Sequence, residues 1–445
     1  MSRGRVRGIP PHPKAMLISD LESTKYPEGG LEAWLIVLGA WCAMVPSMGL
    51  LNSLGTLHAW TSSYQLTDYS ESEIGWIYGA YAFFLYVAGA QTGPIFDCYG
   101  PLYVVVPGSI GMVASLLCFS FSTGASSTSD LNIWHEAVAD PVSEYYQIFL
   151  SFSVLGGLSA CTLFNPAISV IGHWFNIRRG LATGIACTAG GLGGVAFPLI
   201  IMYAAPKIGF GWAIRIIAIL SAVLLMVACL LMRTRLPRPS GKSAAIDFRA
   251  LRDARYASTT AAVFLVEFAV FVPITYISSY ALHAGIDTTL SYALIPLLNA
   301  GAVPGRFLPG LVADRLGRFN VMIATSLLCS ILTLALWIPV DASPAGVICY
   351  AILFGFSSGA AISLTPVCIS QVCRVEEYGQ RNGTTFTIAS VGTLTGIPIA
   401  GAILVANNGQ YDALIGFGGG MYFLATVAFV VARGICVGWN FRTRF

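Results

Sequence analysis

GPIFDCYG at residues 93–100 and GLVADRLGR at 310–318 carry one pattern, Gly-x-x-x-Asp-x-x-Gly, at an offset of 217 residues. Each follows an apolar run and precedes another. A second pair of marks repeats as well: Pro166 and Pro198 recur as Pro366 and Pro398, 200 residues on. The difference of 17 residues places an insertion in the first half, in the polar stretch 123–144, whose counterpart near 340–344 is very short. The chain therefore reads as one unit duplicated in the same direction.

Composition names the solvent of that unit. Only 10% of the 445 residues are Asp, Glu, Lys or Arg, 56% are hydrophobic and mean hydropathy is +0.73, whereas a soluble domain carries about 25% charged residues. So few charges cannot cover a water-exposed globule, which excludes a soluble enzyme and the basic face of a nucleic-acid binder. A helix needs about 20 apolar residues to cross the hydrocarbon core. Twelve runs qualify, near 33–58, 74–96, 102–122, 145–172, 180–203, 212–232, 257–281, 290–311, 320–339, 345–371, 384–406 and 413–433. The fold class expected is an all-α membrane protein of twelve transmembrane helices in two pseudo-symmetric six-helix bundles, 33–232 and 257–433. The linker 233–256 joins them, and short tails, 1–32 and 434–445, flank them.

The basic residues set the orientation. With the N-terminus inside, 21 of the 24 Lys and Arg fall on inside segments, and only Lys207 falls outside. Loops rich in Lys and Arg stay cytoplasmic, so both termini are expected in the cytoplasm, with the plasma membrane as the expected location. The first 26 residues contain Pro10, Pro11 and Pro13 and no apolar core, so no cleavable signal peptide is expected. Most of the 11 cysteines, among them Cys42, Cys118, Cys161, Cys187, Cys229, Cys329 and Cys349, lie inside apolar spans and read as packing residues. The triplet Asn382-Gly383-Thr384 falls on the inner side, where no glycosylation is expected.

Two parallel six-span halves are the signature of alternating access, with a substrate site near the midplane between them. In the repeated motif, Gly admits a close helix approach, and Asp accepts hydrogen bonds from a helix N-terminus or pairs with Arg. Asp97 and Asp314, with Arg315 and Arg318, are the expected conformational latch. The first copy has Cys98 and Tyr99 where the second has basic neighbours, so Arg178 or Arg179 is expected to supply charge there.

With these motifs the chain resembles the major facilitator superfamily. PEGGLEAWLIVLGAW at 27–41 and HWFNIRRGLATGIACTAGG at 173–191 narrow the resemblance to the monocarboxylate porter family, and Leu31-Glu32-Ala33-Trp34 to its fungal branch. That branch handles monocarboxylates, riboflavin-like compounds or secreted secondary metabolites. The resemblance implies a functional arginine in the eighth span, at Arg306. The family's acidic residue one turn earlier is Ala302 here, and its first-span lysine is replaced by Asn52, which argues against simple proton-lactate symport.

The residues by themselves also single out Arg306, because a charge at a helix centre costs about 2.5–3.5 kcal/mol on insertion scales. A guanidinium there can grip a carboxylate at two points; the alternative is an arginine reaching the interface or a neighbouring helix. Glu267 is the one acidic residue deep in a span and is the candidate for carrying a coupling proton. Asn52 and Asn299, amides in hydrocarbon, are further substrate-binding candidates. So are Tyr276 and Tyr280, at i and i+4 on one face, a pattern shared by ordinary packing stripes. His58, Tyr78, Tyr81 and Asn165 are possible cavity lining. Arg215 reads as snorkelling to the outer interface.

The function expected is secondary active transport of small organic anions or amphipathic metabolites, coupled to protons, with export of a secondary metabolite ahead of carboxylate import. The protein is expected to act as a monomer among membrane lipids, with a small organic molecule and protons as partners and no nucleic acid. No cofactor, metal or enzymatic activity is expected: the chain has no G-x-x-x-x-G-K-[ST] or H-E-x-x-H motif, and no nucleophile elbow argues for an enzyme. The alternative is a transporter-like nutrient receptor that binds without flux, which the short tails and linker disfavour.

Overall fold

The computed structural model describes residues 26–69, 71–122, 141–235, 248–340 and 343–439. Residues 123–140 of the expected insertion, the linker's 236–247, residues 1–25 of the N-terminal tail and 440–445 of the C-terminal tail lie outside the described residues. The rest is helical, in twelve passages. In chain order they are α1 (Leu31–Leu51, continued by Leu54–Tyr64), α2 (Glu71–Val87, continued by Gly89–Tyr99), α3 (Leu102–Ser122), α4 (Pro141–Ile148, a π-helical stretch Phe149–Gly156, then Gly157–Ile171), α5 (Arg179–Ile208) and α6 (Phe210–Leu231). The second six are α7 (Ala254–His283), α8 (Thr288–Leu316), α9 (Arg318–Ile331, then π-helical Leu332–Trp337 and a turn Ile338–Val340), α10 (Pro344–Gln371), α11 (Tyr378–Ala406) and α12 (Asp412–Val437).

Among the described residues, ten helices are long and apolar enough to cross a membrane alone. The other two passages are α2 and α8, for different reasons. A break at Ala88 leaves each α2 piece under 18 residues, and α8 carries Pro296, Asn299, Pro304, Arg306 and Pro309 within one helix. Both are the helices that carry the repeated Gly-Asp motif. Several passages run past their expected ends; α1 reaches Tyr64 because it restarts after a break at Asn52 and Ser53. There the side chains bond backward, Asn52 Nδ2 to Met48 O at 2.8 Å and Ser53 Oγ to Gly49 O at 2.7 Å, which competes with the helical ladder.

The break in α2 is repaired from the other half. Thr387 Oγ1 of α11 donates to Val87 O at 2.8 Å and accepts from Ala90 N at 2.8 Å. In lipid, a freed backbone group needs such a partner, because no water replaces it.

The outer helices α3 and α6 turn large apolar side chains such as Ile110, Phe121, Ile219 and Leu230 outward, as lipid-facing helices do. Arg215 of α6 lies between the rings of Phe121 and Trp212, at 4.6 and 4.8 Å. The inner helices meet through glycines. A Cβ on Gly193 would stand 2.6 Å from Gly49 Cα across the α1–α5 crossing, and on α8 one at Gly305 would run into the backbone carbonyl of Phe356 on α10. Small residues let helices touch by backbone, which is how helices associate where lipid removes the hydrophobic drive.

Gly305→Val should therefore separate α8 from α10 and markedly reduce the yield of monodisperse protein, with a clear fall in melting temperature. Gly79→Ala, where an added Cβ meets nothing within 4 Å, should be neutral or raise stability by up to about 1 kcal/mol through helix propensity.

Candidate functional site

The two halves meet at the end of the bundle that carries both termini, along two helix pairs, α2 with α11 and α5 with α8. Both pairs have the same construction. Asp97 on α2 accepts from Gly379 N at 3.1 Å and Gln380 N at 2.8 Å, the first amides of α11. Asp314 on α8 accepts from Gly180 N at 2.8 Å and Leu181 N at 2.9 Å, the first amides of α5. Each carboxylate thus caps a helix of the opposite half, where unsatisfied amides and the helix dipole favour a negative charge. Four residues before each Asp, a motif glycine lets the backbones touch: Gly93 lies against the Gly379 carbonyl and Gly310 against that of Gly180.

Arg318 pairs with Asp314 at 3.6 Å and also donates to Asn176 O. Among the described residues Arg315 is not part of this pairing: it is exposed, because the α8 helical turn points it away from α5. At the first copy Asp97 is bonded to two backbone amides of α11. Arg179 donates to Phe175 O and Gly172 O, at 2.9 and 2.8 Å.

Deeper along α5 and α8 lie three of the residues singled out from sequence. Arg306, 3% exposed, donates through Nη1 to Cys187 O at 2.8 Å. Asn52 Nδ2 reaches Gly190 O at 3.1 Å, and Asn299 Nδ2 reaches Asn52 O at 3.2 Å. The glycines of α5 make this possible, since a Cβ on Gly190 or Gly194 would collide with Arg306, Asn52 or Asn299. Among the described residues, Arg306 Nε and Asn299 Oδ1 are buried without a hydrogen-bond partner, a donor and an acceptor at one helix junction.

Glu267 of α7 is 1% exposed, and among the described residues it forms no ion pair with Arg306. The Tyr86 hydroxyl of α2 is set against the Glu267 carboxyl, and Arg306 lies near the same hydroxyl. The Tyr86 ring stacks on Phe386 of α11 at 5.1 Å, and Phe164 of α4 meets that ring edge-on at 5.2 Å. Next to them, Asn165 accepts from Asn382 Nδ2 across the halves at 3.2 Å. Tyr86 is absent from the sequence candidates, which on this span took in only Tyr78 and Tyr81.

Tyr276 and Tyr280 are elsewhere. They lie 9 and 13 residues beyond Glu267 on α7, about 14 and 20 Å at 1.5 Å per residue, and they serve different neighbours. Tyr276 donates to Ile397 O of α11 at 3.0 Å, whereas Tyr280 packs edge-on against Trp337 at 5.6 Å and Tyr411 at 5.5 Å. The i, i+4 spacing puts both on one side of α7, but two different helices cover that side.

Comparison with known proteins agrees with this architecture. Residues 34–396 match the Major Facilitator Superfamily. The chain is 36% identical over 414 residues to the MFS transporter asaE of Aspergillus flavus, covering 93% of this chain and 89% of that one. It is 35% identical over 413 residues to the fujikurins efflux protein of Gibberella fujikuroi, covering 92% and 83%. Among solved structures, the human organic anion transporter MFSD10 superposes with a TM-score of 0.65 at 15% identity, over 90% of this chain and all of that one. Twelve helical passages, two halves joined through paired Gly-Asp motifs and a family match over most of the length lead to one conclusion: this multi-pass membrane protein belongs to the Major Facilitator Superfamily.

Proposed function

We propose that the chain is a secondary transporter that exports organic anions or amphipathic metabolites from the cytoplasm by alternating access. The observation that carries this reading is the pair of reciprocal carboxylate caps, Asp97 on α11 and Asp314 on α5. Such contacts hold the two bundles together at one end and are broken when that end opens. With the termini in the cytoplasm, the state described here is closed on the cytoplasmic side.

Arg306 would take the acidic group of the substrate. Its Nη1 is bound to Cys187 O, which leaves Nε to a ligand, and Asn299 Oδ1 offers an acceptor nearby. The rings of Tyr86, Phe164 and Phe386 suit a partner with an apolar or planar body better than a two- or three-carbon acid. The efflux role named for the Gibberella fujikuroi relative supports export. The monocarboxylate-porter resemblance of the first- and fifth-helix segments supports an acidic substrate. Glu267 would carry the coupling proton, with Tyr86 transmitting the change of charge towards Arg306.

Purified protein in vesicles, offered a panel of aromatic and short aliphatic carboxylates, should show counterflow of the larger acids. Binding without flux would favour a receptor and overturn the reading. Arg306→Lys should weaken apparent affinity by about tenfold or more through loss of the two-pronged geometry. Glu267→Gln should remove the response to an imposed pH gradient while leaving substrate exchange measurable, and full gradient-driven flux in this variant would dismiss Glu267 as proton carrier.

Asp97→Asn and Asp314→Asn each replace charge-assisted hydrogen bonds by neutral ones, a difference of about 1 kcal/mol or more per bond. Each variant should shift the population towards the state open at the termini-bearing end by about tenfold or more, read as faster modification of buried Cys187 by a thiol reagent added from that side.

A further inference from the structure

The PEGG turn before α1 and the loop between α4 and α5 form one unit. Glu28 stands at φ +53, a left-handed conformation that side chains other than glycine adopt rarely, and Gly29 and Gly30 follow at +152 and +87. That turn delivers the Glu28 carboxylate to three successive amides: Asn176 N at 2.8 Å, Ile177 N at 2.7 Å and Arg178 N at 3.1 Å. The next amides, Gly180 and Leu181, go to Asp314 of the other half. The start of α5 therefore holds two carboxylates side by side, one from its own half and one from across the interface.

The carbonyls of the same loop are also taken, one after another. Gly172 O and Phe175 O accept from Arg179, His173 O from Arg235 Nε at 3.1 Å, Trp174 O from Glu28 N at 3.3 Å and Asn176 O from Arg318. Trp34 of α1 packs its ring on Phe175 at 5.1 Å. His173 is buried, and burial with Arg179 and Arg235 beside it pushes its pKa down to about 4, so at neutral pH the loop adds no further positive charge. With its backbone amides and carbonyls engaged in this way, the loop is held so that Gly180 and Leu181 face Asp314 of α8. The start of α11 is built differently: a turn Val375–Glu377 leads into it, and its Arg381 pairs with Glu377 of the same segment at 3.2 Å.

We infer that Glu28 is a positioning residue of the transport gate: by clamping the 176–178 amides it holds the first turn of α5 in the orientation that Asp314 recognises. The N-terminal segment is thereby tied to one of the two latches and not to the other. The inference rests on the reading of Asp314 as a latch, and the experiment separates the two.

Hydrogen–deuterium exchange of the full chain in nanodiscs, resolved by fragmentation over 176–184 and 378–384, reads the amides directly without a substrate. Asp314→Asn should speed exchange at Gly180 and Leu181, and the absence of any change there removes the latch and this inference with it. With that effect in hand, Glu28→Ala should speed exchange at Gly180 and Leu181 by about tenfold, since it releases charge-assisted bonds, and leave Gly379 and Gln380 at the wild-type rate. Combined with Asp314→Asn it should add less than about twofold, as expected for two residues acting on one element; combined with Asp97→Asn the effects should be independent.

Glu28→Gln, which keeps the side-chain length and one acceptor, should lie between wild type and Glu28→Ala, and it serves as the test variant if Glu28→Ala does not fold. Faster exchange confined to 176–178 would make Glu28 a local loop cap and overturn the inference. Equal acceleration at α5 and α11 would overturn it as well, since that is general loosening.

Discussion

In hydrocarbon no backbone amide or carbonyl can be left to solvent, and this molecule is arranged around the places where its helices fail to satisfy their own. A helix start exposes amides, a break exposes both kinds of group, and a loop exposes a series of them. Several such places are met by side chains from elsewhere in the chain. Asp97 and Asp314 take the starts of α11 and α5, Thr387 takes the break in α2, and Glu28, Arg179, Arg235 and Arg318 take the α4–α5 loop. Four of these contacts, from Asp97, Asp314, Thr387 and Arg318, bridge the two halves by side chain to backbone, so defects of one bundle are completed by the other.

That arrangement suits a molecule that has to come apart and reclose. Apolar surfaces gain little by meeting in lipid, because the tails are as apolar as the side chains. Contacts between charged carboxylates and helix starts are directional and few, so they hold one geometry and release it as a unit. The glycines at Gly93, Gly180, Gly310 and Gly379 are the steric condition for them: a Cβ at any of the four would push the helices apart before the carboxylate reached its amides. Arg306, Tyr86 and Glu267 lie deeper between the halves, where the proposed opening and closing would change what each of them faces.

Much of this was legible in the sequence. Repeated Gly-Asp motifs, twelve apolar runs and the one-sided distribution of Lys and Arg lead to two parallel bundles, because length, hydropathy and charge act locally and can be counted along a chain. Arg306 and Glu267 stand out for the same reason, as rare charges in hydrocarbon. The asparagines Asn52 and Asn299 were legible as amides needing partners, though not as partners of each other. Tyr276 and Tyr280 show the limit of spacing: i, i+4 puts two rings on one side of α7, but what lies opposite depends on α9, α11 and the segment before α12. Arg315 was read from motif position, and the helical phase turned it outward.

What the sequence determined by itself is the number of crossings, the duplication, the expected sidedness and the list of charges that need a reason. What only the tertiary structure decided is who answers them: that the two carboxylates cross over to cap each other's bundles, that Thr387 mends α2, that Tyr86 comes near both Glu267 and Arg306, and that Glu28 reaches a loop about 150 residues away. The first set depends on transfer free energies, which belong to each residue wherever it lies in the chain. The second depends on distances between backbones brought together only by packing, and no local rule along the sequence contains those distances.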